Sequence, residues 1–429
     1  VSRPAPTPTF RPLPLADRRA VGGPVSTALL GSYFGVALLA WLAATGAAVA
    51  AAPDLAAGDP FAPDVLLVVH LVALGTLPFA VAGACFHLLP VMVRNDLPSQ
   101  RALWLALPLL CGGFVVAAGV ARDSGPAVWL GAATLAAGLT LVVATIAVLV
   151  ARAPRARTLV ASRVGVGLSC AHAVVALALG AVLFHGSVTG HAFLHALVIH
   201  LHVALLGWIA LLVLAVGRTL APMLALAPAA PARSRPWEEL GLVAGLWLLV
   251  GGLAAGARAP TIAGGAVALA ACARFAALVL RTARLRRGPL EAPLAHVLAG
   301  ALLLAQAAAF GFAAAAGVGG LRLMTAYVVL LLGGWAAGVV VGHVGKLLSL
   351  SVWVWWPPGA RPKQADLYPR RVGLASAASF AVGVETLALA TLAGSAAAAR
   401  AGAAAGCLSA VLALSGAATT WRRRPAAVR

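Results

Sequence analysis

Apolar residues run along this chain in blocks of about 20 or more, and the polar positions gather in the short stretches between them. A helix that spans a bilayer needs about 20 apolar residues. On that criterion the pattern predicts twelve spans: 26–51, 64–93, 102–121, 127–151, 164–186, 191–223, 238–257, 261–281, 292–317, 321–350, 372–392 and 396–419. Residues 1–24 are rich in Pro and Arg with no apolar core and read as a cytoplasmic tail without a cleavable signal, and 422–429 read as a second, basic tail. Between them, residues 25–421 form one membrane domain.

Composition agrees with that reading. The 429 residues are 62% apolar and only 10% charged, where a soluble domain carries roughly 45–50% and about 25%. A net charge of +20 would suggest nucleic acid as the partner of a soluble chain. Here the bases lie between apolar blocks, where topology and anionic lipid headgroups explain them. Of the 31 Lys and Arg, 26 fall in the tails and the loops after even-numbered spans, against Arg122, Arg258, Arg322 and Arg400 on the other side and Arg274 within a span. Both termini are therefore expected in the cytoplasm of a bacterial-type inner membrane. The first outer loop, with Asp54, Asp59, Asp64 and no base, agrees. The five cysteines lie inside apolar blocks without C-x-x-C spacing and form no zinc or iron–sulfur pattern.

An internal repeat organises the spans. Span 2 reads H-L-V-A-L-G from His70 to Gly75 and continues to Pro90; span 6 reads H-V-A-L-L-G from His202 to Gly207 and continues to Pro222. Span 10 is a degenerate third copy, with Gly334-Trp335 matching Gly207-Trp208, Val329 at the histidine position and Ser349 at the proline position. Copies four spans apart predict three four-helix units, about 25–151, 164–281 and 292–419, with helices 2, 6 and 10 equivalent about a pseudo-threefold axis.

Ten histidines carry the candidate chemistry, because an ionisable group inside a span needs a partner and is a functional candidate by default. Even-numbered spans run inward, so His70, His195, His200 and His202 lie in the outer third, with His185 and His191 beside the loop between spans 5 and 6. His87 and His343 lie deep on the cytoplasmic side. At about 100° per residue, His191, His195 and His202 share a stripe, whereas His200 points about 160° from His202, so the two face different neighbours. His191 and His195, about 6 Å apart along the axis, can share a metal ion; His195 and His202, about 10 Å apart, cannot. Neutral imidazole is a common ligand for haem iron and copper. The same residues also suit a hydrogen-bonded polar core or a proton path. His172 and His296 read as packed interior histidines. Glu385, near the middle of span 11, must be neutralised, paired or part of a proton or cation path. Lys346 with Trp353, Trp355 and Trp356 reads as an interfacial belt, and the Gly pairs 264–265 and 333–334 as helix-packing contacts.

The stretches H-L-V-A-L-G…H-L-L-P-V-M and H-A-L-V-I-H-L-H-V-A-L-L-G-W, on twelve spans in three arcs, resemble the large subunit of the haem–copper oxidases and nitric oxide reductases. The chain is also similar to the NnrS-type haem- and copper-containing membrane proteins. The resemblance implies an all-α, twelve-helix fold in three four-helix arcs, with haem b and copper as cofactors. It implies respiratory electron transfer or oxidoreductase chemistry on a small gas such as dioxygen or nitric oxide. Matched by position, His70 is the helix 2 haem ligand and His202 or His195 the helix 6 metal ligand. His200, His202, His87 and His343 join His70 as haem or cofactor candidates, and His191, His195 and His185 are the metal candidates. Span 7 has no histidine where that family places a His-His pair, span 10 has only His343, and the H-x-H stands in span 6. The electron donor would be a quinol or a separate protein such as a cytochrome. The alternatives are a copper transport or handling protein, with Glu385 and His343 farther along its path, and a cofactor-poor accessory subunit of a respiratory complex.

Overall fold

The computed structural model describes residues 25–93, 95–153, 160–188, 194–225, 227 and 236–425. Among these, all regular structure is helical, and twelve helices are long and apolar enough to cross a membrane. They are α1 (Thr27–Ala50), α2 (Pro63–Val93), α3 (Gln100–Ala121), α4 (Gly125–Ala151), α5 (Ala161–Gly186), α6 (Ala196–Met223), α7 (Trp237–Ala254), α8 (Arg258–Arg284), α9 (Ala292–Ala315), α10 (Leu321–Val354), α11 (Arg370–Ala393) and α12 (Ala396–Arg422). At 1.5 Å per residue the shortest, α7, is about 27 Å long and the longest, α10, about 51 Å, against a hydrocarbon layer of roughly 30 Å. The chain is a multi-pass, all-α membrane protein. Each predicted span overlaps one helix. The main differences are at polar ends: α8 starts at Arg258 and ends at Arg284, and α12 ends at Arg422, because long basic side chains let a helix continue past the apolar layer while their charges stay in water.

The helices pack in a recurring way. α2 contacts α1, α3 and α4; α6 contacts α5, α7 and α8; α10 contacts α9, α11 and α12. The other nine touch one another in the order α1, α3, α4, α5, α7, α8, α9, α11, α12 and back to α1, while α10 also touches α2 and α6. Burial follows: two-thirds of the apolar stretch of α10 is buried (67%), against 22% for the peripheral α9.

Three antiparallel pairs are drawn together by glycine, the residue that lets backbones meet inside a bilayer. A Cβ on Gly112 of α3 would lie 2.5 Å from the Gly131 carbonyl oxygen of α4; one on Gly264 of α8, 2.2 Å from the Leu249 nitrogen of α7; one on Gly402 of α12, 2.6 Å from the Leu387 nitrogen of α11. Each pair closes through a short turn with one left-handed residue, Asp123 (φ 51°), Gly256 (φ 63°) and Gly394 (φ 72°). That conformation is steric strain for most side chains and free for glycine.

A second recurring feature lies in α2, α6 and α10. Each is interrupted by π-helical turns, over Leu71–Thr76, Val203–Ala210 and Val329–Ala336. The first two begin directly after His70 and His202, and the third begins at the residue that matches them in the sequence repeat. π turns inside α-helices are rare and gather at functional sites.

Candidate functional site

Four histidines share one pose. Nδ1 of His70, His172 and His202 each meets the carbonyl oxygen four residues earlier, Leu66, Leu168 and Val198, at 2.7 Å, and Nδ1 of His343 meets that of Val339 at 2.6 Å. A carbonyl only accepts, so Nδ1 carries the proton and donates. The lone pair is thereby placed on Nε2, which points away from the helix that holds it.

What meets Nε2 separates the four. His202 Nε2 accepts the Tyr327 hydroxyl of α10 at 2.7 Å, and the two rings stack at 26° with centroids 5.9 Å apart. His172 Nε2 accepts the indole N–H of Trp247 on α7 at 3.1 Å, and its ring fills the space beside Gly207 of α6, where a Cβ would be 2.7 Å away. His172 is thus the packed, hydrogen-bonded histidine expected. His70 Nε2 makes no hydrogen bond among the described residues. His70 is half-buried, as are its neighbours from Leu66 to Leu71.

His200 reaches that neighbourhood from α6. It lies against Gly180 of α5 and comes near His70 of α2. Among the described residues its buried Nδ1 has no hydrogen-bond partner. The helical geometry of the H-x-H is met: His202 faces α10 and His200 faces α5 and α2. The backbone of His195 lies in the helical segment Leu194–His202, its side chain outside the described residues, as is the whole of His191. His185 stands exposed near the end of α5. Among the described residues no three His, Cys, Asp or Glu side chains come together in a way that could hold a metal ion.

The second group sits at the other end of the bundle, where the loops are rich in arginine. His343 borders a cavity of about 50 Å³ shared with Glu291, Arg286 and Val297. An adjoining cavity of about 60 Å³ is lined by His296, Glu291, Lys346, Tyr368 and Ser376. Lys346 Nζ pairs with Glu291 Oε2 at 2.7 Å, so this lysine is an ion-pair partner rather than only an interfacial anchor. His296 packs against α10, where a Cβ on Gly342 would be 2.3 Å from its Cβ and 2.7 Å from its ring, and among the described residues its buried Nδ1 has no partner. Burial pushes the Tyr368 phenol, in the connection before α11, up to about 12. His87 lies half-buried on α2, three residues before Pro90. Nearby, Arg218 of α6 is held between Glu238 and Glu239 at the start of α7, and Arg274 of α8 reaches Glu238.

Glu385 lies away from both groups. Its Oε1 accepts the Gln306 carboxamide N–H at 2.9 Å, joining α11 to α9 on the outward face of the bundle.

Tyr327 and Gln306 are partners that the sequence reading did not single out. Tyr327 carried a signal: it stands two residues before Val329, the position that matches His202 in the repeat. Compared with protein-family models and with curated proteins, the chain matches none.

Proposed function

We propose that this is a haem-binding redox protein of oxidase-like architecture, with three four-helix units about a pseudo-threefold axis and His70 as the residue that would hold the haem iron. The contacts of α2, α6 and α10 with their own units, the three glycine-packed pairs and the three π turns support the architecture. One observation carries the site: His70 gives its Nδ1–H to Leu66 at 2.7 Å, which leaves the Nε2 lone pair without a hydrogen bond among the described residues. His200, whose Nδ1 has no partner among the described residues, stands close by on another helix.

The residues present fit such a group. A histidine fixed in the Nδ1–H tautomer is the donor set of haem iron and of copper, and the half-buried Leu66, Leu67 and Leu71 around His70 offer the apolar walls a porphyrin requires. A bound haem would supply one-electron chemistry or binding of a small gas. The chain's own part is to fix the imidazole through Leu66, to exclude water with its leucines, and to keep His202 occupied on Tyr327. Because His202 is so occupied, His70 and His200 are the better ligand pair. Copper at His185, His191 and His195 is the second centre of this proposal. In a bacterial-type inner membrane the arginine-rich end, with both termini, faces the cytoplasm, so the His70 site lies near the outer face. Electrons would come from a quinol or a separate protein.

The test is a reduced-minus-oxidised visible spectrum of detergent-purified protein, with iron and copper quantified on the same sample. Sharp b-type bands with stoichiometric iron, lost in His70→Ala, are expected. A featureless spectrum with bound copper would replace this reading by metal handling, and the absence of both metals would leave an accessory subunit as the account.

A further inference from the structure

The outward face of α9 and α11 holds an arrangement that lipid cannot satisfy. Gln306 is exposed and Glu385 partly so, and they bond to each other at 2.9 Å. Counting along the helices at 1.5 Å per residue, Gln306 lies about 21 Å from the start of α9 and Glu385 about 22 Å from the start of α11. Both helices run in the same direction, so the two groups sit at one depth, roughly 12–14 Å from the far ends. A carboxyl and a carboxamide at that depth face hydrocarbon, where unmet polar groups are costly. Around them the surface is apolar: Leu302 is 72% exposed, Val382 61% and Leu389 51%.

The donor and acceptor inventory says what fits. A carboxamide has two N–H donors and one carbonyl acceptor, and a carboxyl group has two oxygens. Their mutual bond leaves one Gln306 N–H, the Gln306 oxygen and Glu385 Oε2. That remainder is self-complementary: the spare N–H of one copy can donate to the spare carboxyl oxygen of another, and the reverse bond forms at the same time. A two-fold axis along the membrane normal preserves depth and brings the same patch to both sides of an isologous contact, in which residue i meets j and j meets i. Equal depth for Gln306 and Glu385 is what that symmetry requires. A lone helix from another protein would need its own polar group at this depth; a second copy of this chain brings both the donor and the acceptor.

We propose that the chain associates with a second copy of itself through the α9–α11 face, with Gln306 and Glu385 forming a reciprocal polar cluster at the centre of an apolar contact. The face is distinct from the histidine sites, so the proposal stands or falls independently of any cofactor.

The experiment reconstitutes the full chain, fluorescently tagged at its C-terminus, into phosphatidylcholine–phosphatidylglycerol vesicles. Single-molecule photobleaching steps are counted over a range of protein-to-lipid ratios. Two-step traces that give way to single steps on dilution are expected. The double variant Gln306→Leu, Glu385→Leu should move the midpoint at least tenfold toward higher protein density. Glu385→Gln keeps reciprocal hydrogen bonding and should stay within about threefold of the parent. Thermal unfolding of each variant separates loss of association from loss of fold, since leucine on a lipid-facing surface leaves the monomer intact. Single steps at every density would overturn the proposal, as would two-step traces whose midpoint the double variant leaves unchanged. Single steps together with stoichiometric copurification of a different membrane protein on this face would overturn it in favour of that partner.

Discussion

The Tyr327 hydroxyl of α10 meets His202 Nε2 of α6 at 2.7 Å, while His202 Nδ1 is engaged by the Val198 carbonyl at 2.7 Å. Both ring nitrogens are therefore employed, and the imidazole acts as a bolt between two of the three central helices. Tyr327→Phe leaves His202 Nε2 as a buried acceptor without a donor, which costs about 1–3 kcal/mol. A lower unfolding midpoint in detergent with an unchanged visible spectrum is the expected result. Loss of a haem band in Tyr327→Phe would show instead that the pair belongs to the cofactor site.

His70 and His172 make the same Nδ1 contact and differ in what lies beyond Nε2. His70→Gly should abolish haem absorbance, and added imidazole should restore it, because a free imidazole can take the place that the side chain leaves. His172→Gly should lower stability, through the lost contacts with Trp247 and Gly207, and imidazole should not change its spectrum.

The Glu291–Lys346 pair is largely shielded, with side-chain exposures of 31% and 12%. Removing one member leaves the other without its counter-charge, so Lys346→Met should destabilise by roughly 1–3 kcal/mol. The double variant with Glu291→Gln should recover part of that loss. Unfolding of the four proteins as a double-mutant cycle reads the coupling directly, and strict additivity would remove the pair from the account.

Glycine contacts make a sharper contrast. Gly264→Ala puts a methyl group 2.2 Å from the Leu249 nitrogen, a clash with backbone that should cost about 1–3 kcal/mol or more. Gly241, in the same helix pair, has nothing within 4 Å of its Cβ position, so Gly241→Ala should be neutral or should stabilise by up to about 1 kcal/mol. Thermal midpoints of the two variants against the parent test this.

Tyr368 sets a pH dependence outside the spans. Its folded value, about 12, lies above the ordinary value near 10, so between these limits the folded state holds a proton that the unfolded state has lost. Stability is therefore complete below about pH 10 and declines as pH rises toward about 12. Tyr368→Phe should flatten that decline in an unfolding series run over the window.

The spans were legible because a bilayer imposes length and apolarity together, and the repeat was legible because His70 and His202 keep fixed offsets to Gly75, Gly207, Pro90 and Pro222. The opposed directions of His200 and His202 followed from helical geometry alone. Three things were not legible. The engagement of His202 by Tyr327 depends on how α6 and α10 meet, which no local pattern encodes. Glu385 could be recognised as needing a partner, but Gln306 is 79 residues away and only the packing of α9 on α11 pairs them. The π turns left no mark, because Leu-Val-Ala-Leu-Gly and Val-Ala-Leu-Leu-Gly are ordinary α-helical residues; the extra turn width arises from hydrogen bonding, not composition.

Those turns also set the phase of the central helices. A π turn holds one residue more than the α turn it replaces, so the chain beyond it is rotated by about 100° relative to an unbroken helix. On α2 this separates the bearing of His70 from that of Gly83, which receives the Phe34 ring of α1. Deleting one residue within Leu71–Thr76 would give a regular helix and leave the relative bearing of His70 and Gly83 unchanged, whereas straightening the turn with all its residues kept would swing Gly83 about 100° away from the Phe34 ring. The insertion acts as a phase shifter, letting one continuous helix serve two surfaces that a uniform α-helix of the same residues could not address together.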